Sequence, residues 1–207
     1  MSGDGLRLDI DNSAMREMIA AVGATPQQAR AAVKRALRRL QKHIMMGSKR
    51  EVKGKLGVGL QKLSKRYWSS TADENGCEIW AGTWAIDALA FGKPRQTETG
   101  VRVGKLPEFR GAFIGTPWPS RDSYGVFIRK SSRHYTPDLY ARQRRSGNRF
   151  GSSGADRGGR FPVVRVRVPI EDAVIGSFRG KEPEYEQFFL RQLEHELAYQ
   201  TSIKGGR

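Results

Sequence analysis

Three histidines are the first residues of this sequence whose chemistry could build a catalytic or metal site. His43, His134 and His195 lie far apart along the chain, and none has an HExxH or Cys/His metal-binding spacing. His195 stands between two glutamates in LEHELAY, a pattern typical of the exposed face of an amphipathic helix. His43 is expected to cap or pack near the end of a basic helix. The histidines therefore predict no metal site and no cofactor.

Three other features of the sequence resemble reactive sites only in part. The segment GKLGVG at 54–59 has the glycines of a phosphate-binding loop but not the order G-x-x-x-x-G-K-[ST], and no strand is predicted before it. Cys77 is the single cysteine, so it can form no disulfide within the chain, and its expected role is packing in the core. Asp138 follows Pro137 but begins no acid-x-Lys nuclease pattern on a predicted strand. The sequence favours a protein that is not an enzyme.

Positive charge is the strongest chemical signal in the sequence. Lys and Arg number 37 against 21 Asp and Glu, which gives a formal net charge of +16. Residues 26–67 hold thirteen basic residues and one acid, whereas residues 171–200 hold seven acids and three bases. We expect an acidic partner, with nucleic acid first and a negatively charged protein face second. A basic and an acidic end also suit head-to-tail contacts between copies of the chain.

The segment 131–160 concentrates this charge on a glycine-rich background. Six arginines follow position 141 and five glycines follow position 146, a composition that predicts a long hairpin-type loop. Most such charge runs are simply solvated. Anion binding is favoured here because six arginines and one acid within 141–160 repel one another unless an anion is near.

The anion expected at this loop is a nucleic-acid backbone or a set of protein carboxylates. Few aromatic residues accompany the arginines, Phe150 and Phe161 at most, so stacking on single-stranded bases is disfavoured against contact with a duplex backbone. The predicted contact residues of the loop and the strand after it are Arg142, Arg144, Arg145, Arg149, Arg157, Arg160, Arg165 and Arg167. The contact residues predicted on the first basic helix are Lys34, Arg35, Arg38 and Arg39.

Helices are predicted at both ends of the chain. Thr25-Pro26-Gln27-Gln28 has a capping threonine, a proline at the first helical position and a glutamine at the capping-box position, so a basic helix is expected over 25–46. A shorter helix within 6–22 would pack through Met15, Met18, Ile19 and Val22 and end at Gly23. Glycines at 54, 57 and 59 interrupt any longer helix and leave a short one over 60–67. Pro183 begins the last helix, whose apolar face holds Tyr185, Phe188, Phe189, Leu193 and Leu197.

Strands are predicted between these helices at 77–84, 100–104, 111–115 and 124–130, with a loop over 92–100. In 163–168 valines at 164, 166 and 168 alternate with Val163, Arg165 and Arg167, which predicts a half-buried strand with its arginines outward. The expected fold class is α+β, with one small antiparallel sheet packed by the two helices. We expect a single domain over 1–207, divided into an N-terminal segment (1–24), a basic helical region (25–70), the sheet (77–130 and 161–170), the loop (131–160) and the closing helix (183–204).

The order of these elements resembles the minor tail protein Z family, the tail completion proteins of lambda-like long-tailed phages. The resemblance covers most of the chain through FGKPRQTETGVRVG, FRGAFIG, YGVFIRK, RFPVVRVRVPI and QLEHELAYQ. Its most specific part is the pairing of Gly111, Ala112, Phe113 and Ile114 with the basic strand from Arg160 to Ile170. The sequence departs from the family pattern in the loop before Phe161, where the segment SSRHYTPDLYARQRR makes the loop longer and more aromatic than a minimal basic connection between the strands.

The resemblance implies a non-catalytic virion protein that acts late in tail completion, at the head-tail junction. It implies a homo-oligomeric ring, expected to be a hexamer, in contact with the tail tube, tail terminator or neck proteins and with the backbone of the genome DNA. The expected location is the tail or neck of the virion, and the host cytoplasm during assembly. No membrane partner is expected, because the sequence contains neither a secretory signal nor a run of 18 apolar residues. The alternative left open is a free-standing nucleic-acid binding protein that recognises no particular sequence.

Overall fold

A computed structural model describes residues 12–73, 76–117, 124–136 and 163–202 of the protein. These residues form an α+β fold, which confirms the predicted class. The helices are α1 (Asn12–Ala21), α2 (Pro26–Leu56), α3 (Leu60–Ser64), α4 (Glu171–Gly176) and α5 (Glu182–Ser202), with a 3₁₀ helix at Ala88–Phe91. The strands are β1 (Tyr67–Ser69), β2 (Ile79–Ala81), β3 (Ile86–Asp87), β4 (Pro94–Gln96), β5 (Gly100–Val103), β6 (Phe109–Arg110), β7 (Ala112–Gly115), β8 (Gly125–Arg129), β9 (Val163–Arg165) and β10 (Arg167–Val168).

The described strands form four small antiparallel sheets rather than the single sheet that the sequence predicted. Their orders are β1-β2, β10-β3, β4-β5-β6 and β7-β8-β9. The chain also divides into two compact units. The first contains Met1–Arg50, Lys65–Gly82 and Ile175–Arg207, and the second contains Glu51–Ser64 and Thr83–Val174.

The start of α2 follows the predicted capping box. The Gln28 backbone N–H donates to Thr25 Oγ1 at 3.3 Å, and the Thr25 backbone N–H donates to Gln28 Oε1 at 2.9 Å. These reciprocal bonds satisfy two backbone donors at the helix N-terminus. The predicted beginning of this helix is therefore confirmed.

The predicted end of this helix is wrong, because α2 continues ten residues past Met46, through Gly47 and Gly54, to Leu56. A glycine inside a helix costs only about 1 kcal/mol relative to alanine, and burial of helix residues such as Ser48 and Val52 outweighs that cost. The helix ends where Gly57 adopts a φ of 74° and donates its N–H to Lys53 O at 2.7 Å. The short helix expected next is present as α3.

The core of the first unit joins α2 to α5. Its buried residues are Ala32, Val33, Ala36, Leu37, Leu40, Ile44, Ala72, Tyr185, Phe189, Leu193 and Leu197. The four-residue spacing predicted for α5 therefore does mark its buried face. From α1, Met15, Met18 and Ile19 pack against this core as predicted, whereas Val22 lies beyond the helix and is exposed.

The hairpin β1-β2 completes the first unit, and only its second strand was predicted. Tyr67 and Ala81 are register partners, as are Trp68 and Trp80. The inward-facing Tyr67 is buried and its hydroxyl lies 2.6 Å from Ser48 Oγ of α2. Side chains alternate between the two faces of a strand, so the neighbouring tryptophan faces away from α2.

The second unit contains the three-stranded sheet β7-β8-β9. β8 pairs with β7 on one side and with β9 on the other, and its Val126, Phe127 and Ile128 are buried. β4 occupies part of 92–100, which the sequence predicted as a loop; that prediction is wrong because Pro94–Gln96 pairs with β5. Val166 is buried between β9 and β10, as the alternation indicated.

Candidate interaction surface

Half of the twelve predicted contact residues are described by the structure. Arg142, Arg144, Arg145, Arg149, Arg157 and Arg160 lie outside the described residues, as does most of the predicted loop. Lys34, Arg35, Arg38 and Arg39 lie on α2, Arg165 lies on β9 and Arg167 lies on β10.

Arg165 is held by groups of its own unit. Its Nη1 lies 2.9 Å from Asp87 Oδ2, its Nη2 donates to Tyr124 O at 3.4 Å, and its guanidinium lies 5.3 Å from the centroid of the Phe127 ring. The predicted outward arginine is thus three-quarters buried and paired with a carboxylate. Arg167 lies opposite Asp87 in the β10-β3 register. Arg165 supports its own unit, because its charge is already matched by Asp87.

Arg35 and Arg39 are also paired within their unit. Arg39 Nη2 lies 2.6 Å from Glu196 Oε1, and Arg35 Nη1 lies 3.4 Å from Glu196 Oε2. The Glu196 side chain, on α5, is only 3 % exposed. Arg39 Nη1 also donates to Gln192 Oε1 at 2.9 Å. The acidic closing helix thus neutralises part of the basic helix inside one chain, and these two arginines hold α2 and α5 together.

Lys34, Arg38 and Lys42 form a separate group on α2, which we call the basic stripe. They recur every four residues, so they lie along one side of the helix over about 12 Å. All three are exposed, and within the described ranges no side chain forms an ion pair or hydrogen bond with them. Lys42 was not among the predicted contact residues. The basic stripe is thus a cationic surface on α2 whose charge is not matched within the described ranges.

Helix geometry places the basic stripe between two sets of contacts. Gln41 Nε2 donates to the carbonyl oxygens of Ser70 and Glu78, at 2.9 and 3.1 Å, and so holds the hairpin against α2. At about 100° per residue, the stripe lies about 20°, 60° and 100° around the helix from Gln41, and the two arginines bound to α5 lie at about 120° and 160°. The stripe therefore separates the hairpin side of α2 from its α5 side.

Two exposed tryptophans lie on the hairpin beside this helix. Trp68 and Trp80 are 61 % and 58 % exposed, and their rings meet edge to face with centroids 6.0 Å apart. Trp80 Nε1 donates to Glu78 Oε2 at 3.3 Å. Sequence reasoning missed this pair because it did not predict β1. The sequence did contain one indication of β1, namely Trp68 in the segment RYWSS, which pairs with Trp80 in the segment EIWAG.

The histidines and the cysteine have local packing roles. His43 stacks on Phe188 with ring centroids 4.0 Å apart, which agrees with its expected packing, and His195 is exposed on α5 as predicted. Cys77 packs against the core of the first unit, where burial and then the charge of Asp73 raise the pKa of its thiol. Across the described ranges, no group of three or more His, Cys, Asp or Glu side chains could hold a metal ion.

A concave surface of about 530 Å³ lies in the second unit. Its lining includes Arg110, Arg133 and His134, together with Glu98. Arg133 Nε donates to His134 Nε2 at 3.2 Å, so that ring nitrogen acts as the acceptor. The opposing glutamate leaves this surface less basic than the stripe.

Comparison with protein-family models, with curated proteins and with solved structures finds no match for this chain. No helix in the described part of the chain is long and apolar enough to cross a membrane.

Proposed function

We propose that this chain is a structural virion protein of a bacteriophage, a tail completion protein that acts at the head-tail junction. The observation that supports this function is the sheet β7-β8-β9. Three segments that carry the resemblance, GAFIG, YGVFIRK and the strand within RFPVVRVRVPI, meet in that single sheet. The first and last of them are about fifty residues apart in sequence, and both pair with the segment between them.

In this proposal the chain forms a ring, with a hexamer as the expected size, and contacts the tail tube, the tail terminator or neck proteins and the DNA backbone. The basic stripe supports such a role because it carries unmatched charge on a rigid helix. In a ring the stripe would be repeated on every subunit, so the positive electrostatic potentials would add and attract the phosphates of a DNA duplex that passes along the axis. The protein performs no catalysis in this role.

The test is deletion of the gene from the phage genome that encodes it, with the protein supplied in trans and the particles imaged. We expect loss of infectious titre, with heads and tails separated, wrongly joined or joined but not infectious. Unchanged yield and infectivity would refute the proposal.

A charge-reversal variant then tests the loop. Replacement of Arg142, Arg144, Arg145 and Arg149 by Glu should leave the protein folded but fail to restore titre. The matched control reverses four exposed basic residues outside the predicted contact set, namely Lys93, Arg95, Arg102 and Lys105. Equal titres from the two variants would remove the loop from the proposed mechanism.

A second candidate function is nucleic-acid binding without sequence preference by the isolated protein. The observation that favours it is the basic stripe, whose three cations lack a protein partner in the described ranges. Cations that neutralise phosphates release counterions, so the observed affinity falls as salt rises, with a log-log slope of about −0.9 per phosphate for a duplex. A flat response to salt would contradict this candidate.

A further inference from the structure

We infer that the basic stripe and the Trp68–Trp80 pair form one binding surface for single-stranded nucleic acid. The stripe would contact phosphates, and the indole rings would stack with unpaired bases. The inference rests on the second candidate function and specifies its ligand. It reverses the expectation from sequence that stacking is disfavoured, because the aromatic side chains lie on the hairpin and not among the loop arginines.

The tryptophan pair has the form of a stacking platform. Large aromatic side chains usually bury most of their area, yet these two are more than half exposed, side by side on a two-stranded hairpin. Their edge-to-face arrangement covers part of one ring face and leaves other faces open. The hydrogen bond from Trp80 to Glu78 fixes one indole before any ligand arrives. Less ordering is then needed on binding.

The hairpin lies alongside α2, close to the stripe. Tyr67 contacts Ser48, and Ser70 contacts Gln41. The seven helical residues from 41 to 48 rise about 10.5 Å. The three strand residues from 67 to 70 span about 10 Å, so hairpin and helix run side by side over this length. Arg38 is less than one helical turn from Gln41. A bound single strand would therefore need only a few nucleotides to reach from the basic stripe to the two tryptophans.

Charge and chemistry together favour single-stranded nucleic acid over other ligands. The basic stripe favours an anion, and the indole faces favour a flat, polarisable group. An unpaired nucleotide supplies both, because it has a phosphate and an accessible base. A duplex supplies phosphates, but its bases are stacked on each other and cannot reach an aromatic side chain. An acidic protein surface would satisfy the stripe without using the indoles.

The test uses the full-length protein with fluorescein-labelled oligo(dT) of about 16 nucleotides and a duplex of the same length. We expect tighter binding of oligo(dT) than of the duplex. Trp68→Ala and Trp80→Ala should each weaken oligo(dT) binding about tenfold and leave duplex binding nearly unchanged. The matched control is Trp84→Ala, which removes another exposed tryptophan, in the second unit, and should change neither affinity.

Two further measurements separate the remaining outcomes. Lys34→Ala/Arg38→Ala/Lys42→Ala should weaken binding of both probes, and light scattering should show the same oligomeric state for every variant. Trp68→Phe and Trp80→Phe keep an aromatic face and should recover part of the loss, which distinguishes lost stacking from lost folding.

The inference is overturned if the tryptophan variants bind oligo(dT) as the wild type does while the stripe variant does not. That result leaves the second candidate function standing. If the wild type binds neither probe at low salt, both the inference and the second candidate fail. If the tryptophan variants change only the oligomeric state, the pair is a protein-protein contact and the inference also fails.

Discussion

The four cations predicted on the first half of α2 should differ sharply in their effect on stability. Arg35→Ala/Arg39→Ala removes both cations from Glu196, whereas Lys34→Ala/Arg38→Ala removes the same charge from the same helix without breaking a hydrogen bond or ion pair within the described ranges. Helix propensity is nearly matched in the two variants, because each exchanges two good helix formers for alanine. The comparison therefore isolates the contacts of Arg35 and Arg39, which are the two ion pairs with Glu196, the hydrogen bond from Arg39 to Gln192 and the approach of Arg35 to the Tyr199 ring.

The expected loss in free energy of unfolding depends on how deeply Glu196 is buried. Loss of one partner of a fully buried pair costs about 3–5 kcal/mol, because it strands a charge away from water. Here the Glu196 side chain is 3 % exposed but the Arg35 and Arg39 side chains are 43 % and 47 % exposed, so solvent screens their side of the interaction. We expect Arg35→Ala/Arg39→Ala to lower the free energy of unfolding by about 2–3 kcal/mol. Lys34→Ala/Arg38→Ala should change it by less than about 0.5 kcal/mol.

Urea unfolding followed by circular dichroism measures both variants, and hydrogen exchange in α5 locates the effect. Addition of Glu196→Gln to the arginine variant should recover about 1 kcal/mol, because a neutral amide tolerates burial better than an unpaired carboxylate. Equal destabilisation by the two double variants would refute the reasoning. So would an arginine variant as stable as the wild type.

Three other changes have expected outcomes. Gly104→Ala should destabilise the protein by more than about 2 kcal/mol in thermal unfolding, because Gly104 has a φ of 53° and a Cβ there would lie 2.2 Å from Phe91 O. Ser48→Ala removes a hydrogen bond from each of two buried hydroxyls and should cost about 1–2 kcal/mol in urea unfolding. The Cys77 thiol has a raised pKa, so less thiolate forms at a given pH. Its alkylation by iodoacetamide should therefore be slower than that of a free thiol, and the alkylation rate should increase only above the ordinary thiol pKa. Asp73→Asn should shift this dependence of rate on pH to lower pH.

Patterns that depend on neighbouring residues were the ones that the sequence predicted well. The capping box at Thr25 and the four-residue apolar spacing of α5 both occur where expected, since their causes lie within one or two helical turns. The same reasoning from neighbouring residues predicted the wrong end for α2. Gly47 and Gly54 are tolerated within the helix because burial of its other residues outweighs their local cost.

The candidate surface could be predicted only in part, because partners distant in sequence decide which cations stay free. Arg39 and Arg38 are adjacent and read alike in sequence, yet a carboxylate 157 residues away binds the first and no described residue binds the second. Trp68 becomes part of a candidate site only through its pairing with Trp80 on β2, and its own strand is three residues long. Short strands carry too little periodicity to be recognised alone.

The division of charge on α2 also predicts how salt should act on DNA binding. If only the three cations of the basic stripe contact phosphates, their removal should reduce the slope of log affinity against log salt by about 2.7 for a duplex and about 2.1 for a single strand. Removal of the two arginines that hold Glu196 should leave both slopes unchanged, measured where that variant remains folded. A reduction of about 1.8 in the duplex slope on removing those arginines would mean that DNA competes with Glu196 for them. DNA binding would then loosen the packing of α5 on α2, and hydrogen exchange in α5 would rise with added DNA.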